Sequence, residues 1–324
     1  MKTRVALYGA AGHQIHQLLV AHPHAELVVC CEFSRDKLPV ALREDDSIRF
    51  VNTLDDLLCD ASIDLISFCS PTRSEQAMQV IKCLQAGKHA YAEKPCALNE
   101  RDLDAIMATA ARTGKRFHEM ASTAFTQPYL AMRELVKQGA IGEVVQVFVQ
   151  KSYPYYDGRP QDEAVDGGLI CQVGVHALRM IEQVAWQPIV DIRATETCTG
   201  NPVAGGGLRM ASSMMMTLAN GAVGAVIANY LNARVGPWGN DHLRIFGTRG
   251  FIESVDEGQR TRLVVDDKDL GAIDTSAPSI DYFDLMLAEI QGRGEMPMSL
   301  ESELHPTRMC IRAKRDADAP QSSA

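Results

Sequence analysis

Three stretches of the chain carry residue types at spacings suited to chemistry. The first is Gly9-Ala10-Ala11-Gly12-His13-Gln14, directly after the apolar run Arg4–Tyr8, where a dinucleotide fingerprint would read G-x-G-x-x-G. Such a turn lets a diphosphate approach backbone amides at a helix N-terminus, where the helix dipole favours negative charge. Gly9 and Gly12 can supply the bend, Ala11 is the smallest substitute at the close-approach position, and Gln14 stands where tight helix–sheet packing usually takes glycine. By itself the turn is equally compatible with nucleotide binding and with a plain strand-to-helix connection. The second stretch is Glu32, 20 residues beyond Gly12, the distance at which an acid accepts hydrogen bonds from an adenosine ribose. A carboxylate there repels a ribose 2′-phosphate and favours NAD. Arg35, three residues on, would pair with that phosphate if Glu32 turned away, which keeps NADP open. The third is Glu93-Lys94-Pro95, an acid and a lysine at the end of the run His89–Ala92. The carboxyl ends of parallel strands are where open α/β sheets bind ligands.

The elements that must position these residues follow from hydrophobic periodicity. Arg4–Tyr8, Glu26–Glu32, Leu65–Cys69, His89–Ala92 and Arg116–Met120 read as strands. Between them, Ser74–Ala86 puts Ala77, Val80, Ile81 and Leu84 on one helical face, and Asn99 caps a helix carrying Leu103, Ile106 and Met107. The alternation predicts right-handed βαβ units and a doubly wound parallel sheet. After residue 121 the rhythm changes. A helix over Pro128–Gln138, a turn at Gly139–Glu143, a strand Val144–Lys151 and a helix around Gly174–Val184 come first. From Val190 strands dominate, with hairpins signalled by Asn220-Gly221 and by Gly247–Gly250, and helices at Ser279–Gln291 and Glu301–Arg315 close the chain. The expected organisation is a Rossmann domain over residues 1–121, an α+β domain with a large, open, mainly antiparallel sheet over 122–315, and a tail from 316 to 324.

Composition narrows the function classes. The chain has 324 residues, about twice the usual single-domain length, and its 46% apolar and 23% charged content excludes disorder as the main state. With 41 acids against 32 basic residues and a net charge of -9, a nucleic-acid backbone is not an expected partner. The longest apolar stretch, around Ser212–Leu231, is interrupted by polar residues, so no membrane helix is expected. The apolar run at the start is too short for a signal peptide. Nine cysteines without a C-x-x-C pair read as free thiols in a reducing compartment, with the cytoplasm expected. No histidine spacing calls for a metal.

The stretch from Gly87-Lys88-His89 to Glu93-Lys94-Pro95 resembles the signature of the glucose-fructose oxidoreductase and inositol dehydrogenase family, known as Gfo/Idh/MocA. The resemblance runs over nearly the whole chain, through Ser70-Pro71, Gly139–Glu143, Asp166-Gly167-Gly168-Leu169, Gly174-Val175-His176 and Ile245–Gly250. It implies a Rossmann domain followed by an α+β domain whose sheet forms a homodimer or homotetramer interface. It also implies a nicotinamide cofactor, with small hydroxylated substrates such as sugars and polyols. The Ser70-Pro71 loop, Glu93 and Lys94 then join Gly9, Ala11, Gly12, His13, Gln14, Glu32 and Arg35 around the cofactor, and the Lys94-Pro95 bond is a candidate for the cis form.

The family's D-x-x-x-H segment becomes Gln172 and His176 here, so the acid is replaced. On an α-helix the i,i+4 spacing puts both on one face, where Gln172 can orient a hydroxyl but cannot carry a proton. Oxidising an alcohol calls for a base and for positive charge beside the developing alkoxide. His176 is the expected base, Lys94 the expected cation and Gln172 a positioning group, with Glu119 an alternative base. Thr123, Lys151, Tyr153, Tyr155 and Arg159 are candidates for the substrate pocket. The resulting expectation is an NAD(P)-dependent dehydrogenase or reductase. Two alternatives stand beside it: a lyase, epimerase or glycoside-cleaving relative with bound NAD and no net redox change, and a dinucleotide-binding sensor that has lost catalysis.

Overall fold

The computed structural model describes residues 1–120, 122–234 and 238–319. Two compact units emerge. The first comprises Met1–Ala121, Ala164–Asp166 and Tyr282–His305, and the second Ser122–Glu163, Gly167–Asp281 and Pro306–Ala324. The single boundary after residue 121 therefore gives way to a chain that returns to the first unit late. Apolar packing explains the return. The helix Tyr282–Ile290 buries Tyr282, Phe283, Met286 and Leu287, and the Phe283 ring lies 5.6 Å from that of Tyr91. The Gln291 amide then donates to Thr3 Oγ1 and His24 O, each at 2.9 Å.

The first unit is built on six parallel strands, β1 (Thr3–Tyr8), β2 (Ala25–Cys31), β3 (Arg49–Val51), β4 (Leu65–Phe68), β5 (His89–Ala92) and β6 (Phe117–Glu119), in the order β3-β2-β1-β4-β5-β6. β4 is buried at every residue, as a strand covered on both faces must be. The edge strand β3 is short and largely exposed, so it lacks the apolar pattern that would have announced it. Strand order reverses between β1 and β4, the switch point at which doubly wound sheets open a crevice at their carboxyl ends. One expectation fails here. In place of a helix after the glycine turn there is a single 3-10 turn, Ile15–Gln17, before the chain enters β2. The cause is local: the buried Gln14 side chain accepts the Ile15 N–H and donates to Gly9 O, tying the segment to the sheet.

The second unit carries an eight-stranded sheet. Its strands are β7 (Val144–Ser152), β8 (Ile189–Thr197), β9 (Ala211–Leu218), β10 (Val223–Asn229), β11 (His242–Gly247), β12 (Gly250–Val255), β13 (Arg260–Val265) and β14 (Lys268–Gly271), in the order β14-β13-β12-β11-β7-β10-β9-β8. β7 and β10 pair in parallel, the other neighbours antiparallel. Gly221, at φ +85°, makes the β9–β10 hairpin that Asn220-Gly221 predicted. Within β9, Met214 and Met216 are buried while Met215 is 70% exposed, the period of two expected of a sheet with one open face. Register places Val223 and Ile227 on that same open face.

The helix expected around Gly174–Val184 starts earlier, at Ile170. It is π-helical over Ile170–Gly174, α-helical over Val175–Arg179 and π-helical again over Met180–Val184. The last helix, Leu300–Asp318, also runs past the predicted end. Residues 316–318, read as tail, are helical because the Asp316 carboxylate accepts from Ala194 N and Arg193 Nη1. The rest of that tail, 320–324, lies outside the described residues. No helix among the described residues is long and apolar enough to cross a membrane.

Candidate active site

In the first unit the predicted cofactor residues collect at the carboxyl ends of β1, β2, β4 and β5. Gly9 has φ +72° and Gly12 φ +123°, and both approach neighbours closely. A Cβ at Gly9 would overlap the Cys69 carbonyl, and one at Gly12 would come within 2.7 Å of Glu93 Cγ. Both positions therefore need glycine for space as well as conformation. Ala11 donates its N–H to Cys69 O at 3.0 Å. Gln14 points away from the crevice, its amide bonded to Gly9 O and Ser67 O at 3.0 and 3.2 Å, so it serves as a peg between β1 and β4. Glu32 is exposed just past β2 and takes a left-handed backbone, φ +49°, the kind of strain that collects at binding sites. Arg35 is turned to its own loop: it donates to Arg43 O and Ile48 O at 2.9 and 3.2 Å and stacks 4.6 Å over Phe50.

Beyond β5, Glu93 and Lys94 are each 1% exposed, with Lys94 Nζ 3.7 Å from Glu93 Oε1. Glu93 Oε2 accepts the His13 N–H at 2.9 Å, and His13 Nδ1 faces Oε1 at 3.1 Å. Burial opposes ionisation of Glu93, but the hydrogen bond from His13 and the charges of Lys94, His13 and Arg73 outweigh it and bring its pKa down to about 2. The Lys94-Pro95 bond is cis, as is Gln127-Pro128. Ser70 Oγ donates to Gln79 Oε1 at 2.5 Å, and Pro71 lies beside Gly9.

Two residues of this edge went unnoticed in the sequence. Gln76 accepts the Ser70 N–H at 3.2 Å and donates to Glu93 O and Pro95 O at 2.6 and 3.2 Å, tying the Ser70 loop to the Glu-Lys-Pro segment. Arg73, buried, holds Gln76 Oε1 at 2.6 Å and Ala11 O at 2.8 Å. Their signal was available: a cation and an amide three residues apart on the buried side of the helix Arg73–Gln85. Glu119, the alternative base, is a strut. Its carboxylate accepts the Cys96 N–H at 2.6 Å, and its own N–H goes to Glu303 Oε1 at 2.7 Å.

The second unit assembles a separate polar cluster. Thr123 Oγ1 lies 3.3 Å from His176 Nδ1, and the Tyr153 ring stands edge-on to the His176 ring at 6.5 Å. The hydroxyl can donate or accept, so it is compatible with either neutral tautomer of the imidazole. Lys151 Nζ meets Asp241 Oδ2 at 2.6 Å, with the Tyr129 hydroxyl 3.4 Å from the same oxygen. Burial favours loss of the Lys151 proton, but Tyr153 and Asp241 hold its pKa above the ordinary value. Asp241 was missed because it lies 90 residues from Lys151. Gln172, half-buried, sits in the π-helical segment Ile170–Gly174, one turn before His176. Tyr155 packs on an apolar cluster around Leu169, Val173 and Tyr230. Arg159 is enclosed, its guanidinium 3.7 Å from the Tyr230 ring centroid and 4.6 Å from that of Tyr156. Among the described residues no group of three or more His, Cys, Asp or Glu side chains is arranged to hold a metal.

Strand order, the paired glycines and the acid after β2 define a Rossmann-type dinucleotide-binding unit, and the positive-φ glycine turn at the carboxyl end of β1, beside the switch point, fits a nicotinamide dinucleotide. Comparison with known proteins makes the class specific. Residues 3–120 match the family model described as oxidoreductase family, NAD-binding Rossmann fold, and residues 129–253 match that of the GFO/IDH/MocA C-terminal domain. The chain belongs to the Gfo/Idh/MocA oxidoreductase family.

It is 23% identical over 218 residues to a myo-inositol 2-dehydrogenase of Thermotoga maritima, covering 66% of this chain and 62% of that protein. It is 28% identical over 185 residues to a dTDP-3,4-didehydro-2,6-dideoxy-alpha-D-glucose 3-reductase of Streptomyces violaceoruber, covering 55% and 53%. The matches thus span less than two thirds of the length of these curated relatives. Among solved structures, an oxidoreductase domain protein from Kribbella flavida superposes with a TM-score of 0.83 over 99% of this chain and 98% of its own, at 18% identity, a likeness of fold.

Proposed function

We propose that this chain is an NAD-preferring dehydrogenase or reductase acting on a hydroxyl or carbonyl of a sugar, polyol or similar small hydroxylated molecule. One observation carries the reading: a single sheet edge, at the ends of β1, β2, β4 and β5, gathers the glycine turn, Glu32, the Ser70 loop and the buried Glu93-Lys94 pair. The relatives named for inositol and a deoxyglucose support the substrate class. The NAD preference rests on an exposed Glu32 and on an Arg35 already committed to the Arg43 and Ile48 carbonyls.

When bound, the nicotinamide supplies the hydride acceptor or donor. The chain's own residues supply the rest. Lys94, held beside Glu93, stabilises negative charge developing on the reacting oxygen. His176, paired with Thr123, exchanges the hydroxyl proton. Gln172 positions substrate without taking up a proton. Lys151 and Tyr153 contribute polar groups to the substrate pocket, with Thr123 behind the base. The open face bearing Met215, Val223 and Ile227 serves self-association as a dimer or tetramer. Nine cysteines, none joined in a disulfide among the described residues, support a reducing, cytoplasmic setting.

The test is a titration of the purified protein with NAD and with NADP, followed by a screen of polyols and sugars with the tighter ligand while nicotinamide absorbance is read. Stoichiometric NADH formation with one class of substrate is expected. Binding without absorbance change across a broad panel would replace the dehydrogenase with a dinucleotide sensor, and turnover of substrate without net NADH would replace it with the lyase or epimerase.

A further inference from the structure

The three residues Ile15–Gln17 are too short a helix to present a dipole to a diphosphate, so the usual source of positive potential after β1 is missing. What the glycine turn does show is a strict alternation of its peptide groups. The N–H groups of Gly9, Ala11 and His13 are taken by Cys31 O, Cys69 O and Glu93 Oε2 at 2.9, 3.0 and 2.9 Å. The carbonyls of Gly9 and Ala11 are gripped as well, by Gln14 Nε2 at 3.0 Å and by Arg73 Nη2 at 2.8 Å. In a planar trans peptide the C=O and the following N–H point in opposite directions. The two grips therefore turn the N–H of Ala10 and the N–H of Gly12 to the other side, and neither has a hydrogen-bond partner among the described residues.

Arg73 adds a second observation. It is 3% exposed, makes no ion pair with a carboxylate among the described residues, and its Nε has no hydrogen-bond partner. Glu93, close enough to feel its charge, is engaged by His13 and Lys94. Burying a guanidinium without a direct counter-ion is costly, and an anion on the far face of the turn offsets that cost. A diphosphate carries such a charge, and two outward amides form a concave donor pair for it.

We propose that Arg73 is a positioning residue for the diphosphate of the dinucleotide: from behind the turn it aims and polarises the Gly12 N–H, as Gln14 does for Ala10, in place of a helix dipole. This rests on the first unit being a dinucleotide site, and the test separates the two. ADP-ribose and adenosine are titrated into wild type, Arg73→Gln and Arg73→Lys, with amide resonances of ¹⁵N-labelled wild type followed alongside. Arg73→Gln should weaken ADP-ribose by about tenfold, the scale of one charge-assisted contact, and leave adenosine within about twofold, while Arg73→Lys recovers part of the loss. The Ala10 and Gly12 amides should shift with ADP-ribose and stay put with adenosine. If wild type binds neither probe, the dinucleotide reading fails and takes the proposal with it. If ADP-ribose binds but Arg73→Gln is unaffected, or loses both probes equally, the positioning role is overturned while the site stands. Should Arg73→Gln not fold, unmoved Ala10 and Gly12 amides in wild type overturn it independently.

Discussion

The carboxyl edge of the first sheet and the polar cluster of the second unit reach preorganised chemistry by different routes. At the first edge, backbone geometry leads: parallel strands end together, a glycine turn fits between them, and buried Glu93, Gln76 and Arg73 mostly bond main-chain groups. In the second unit side chains meet side chains from distant parts of the chain, as Lys151 meets Asp241 and Thr123 meets His176. Main-chain partners are present whatever the residue type, so the first arrangement tolerates a degraded fingerprint such as Gly-Ala-Ala-Gly. Side-chain pairs lack that tolerance, because losing one partner leaves the other buried and uncompensated.

Raising the pH should expose the contrast most strongly. His118 lies between Glu303 and Glu289 at 2.6 and 2.9 Å. Burial disfavours its charge, but Glu303 and Glu289 outweigh burial and raise its pKa to about 9. A raised folded pKa stabilises fully below the unfolded value near 6.5 and is lost as pH climbs through about 9. Lys151, raised above its ordinary 10.5, keeps its charge over that range. Hydrogen exchange from pH 6.5 to 9.5 should therefore loosen Tyr282–His305 while β7 stays protected, and His118→Gln should abolish the pH dependence. Simultaneous loosening of both would break the comparison.

Removing one partner in the second cluster comes next. Asp241→Ala should cost about 3 kcal/mol or more in urea unfolding, since it strands the buried Lys151 ammonium. A change under about 1 kcal/mol would show that the pair is not needed. For catalysis, Lys94→Met should lower kcat by about 10², and wild-type turnover would reassign the charge stabilisation. The smallest effect is expected at the surface acid: Glu32→Ala should weaken NAD by about tenfold and narrow its advantage over NADP, measured by paired titrations. An unchanged ratio would move the NAD preference elsewhere.

Legibility in the sequence followed the same divide. The parallel strands, the glycine turn, Glu32 and the Glu-Lys-Pro segment announce themselves because each is local: an apolar run, a bend residue, an acid at a fixed offset. Arg73 and Gln76 escaped because polar residues on the buried side of a helix disturb its apolar pattern, and their partners lie on other loops. The helix expected after β1 failed for a related reason. Nothing in the residues after Gly12 reveals that the Gln14 amide would turn inward and bond Gly9 O. The π-helical turns around Gln172 were not legible either, since they belong to packing that periodicity does not report.

The sequence by itself determined the alternation of elements, the open face of the second sheet and the family, because these depend on residue order and on periods of two and 3.6. The tertiary structure alone decided the return of Tyr282–His305 to the first unit, the pairing of Lys151 with Asp241 and the direction of each peptide in the glycine turn. Those outcomes hang on contacts between residues far apart in the chain, whose energies exist only once the backbone has closed around them.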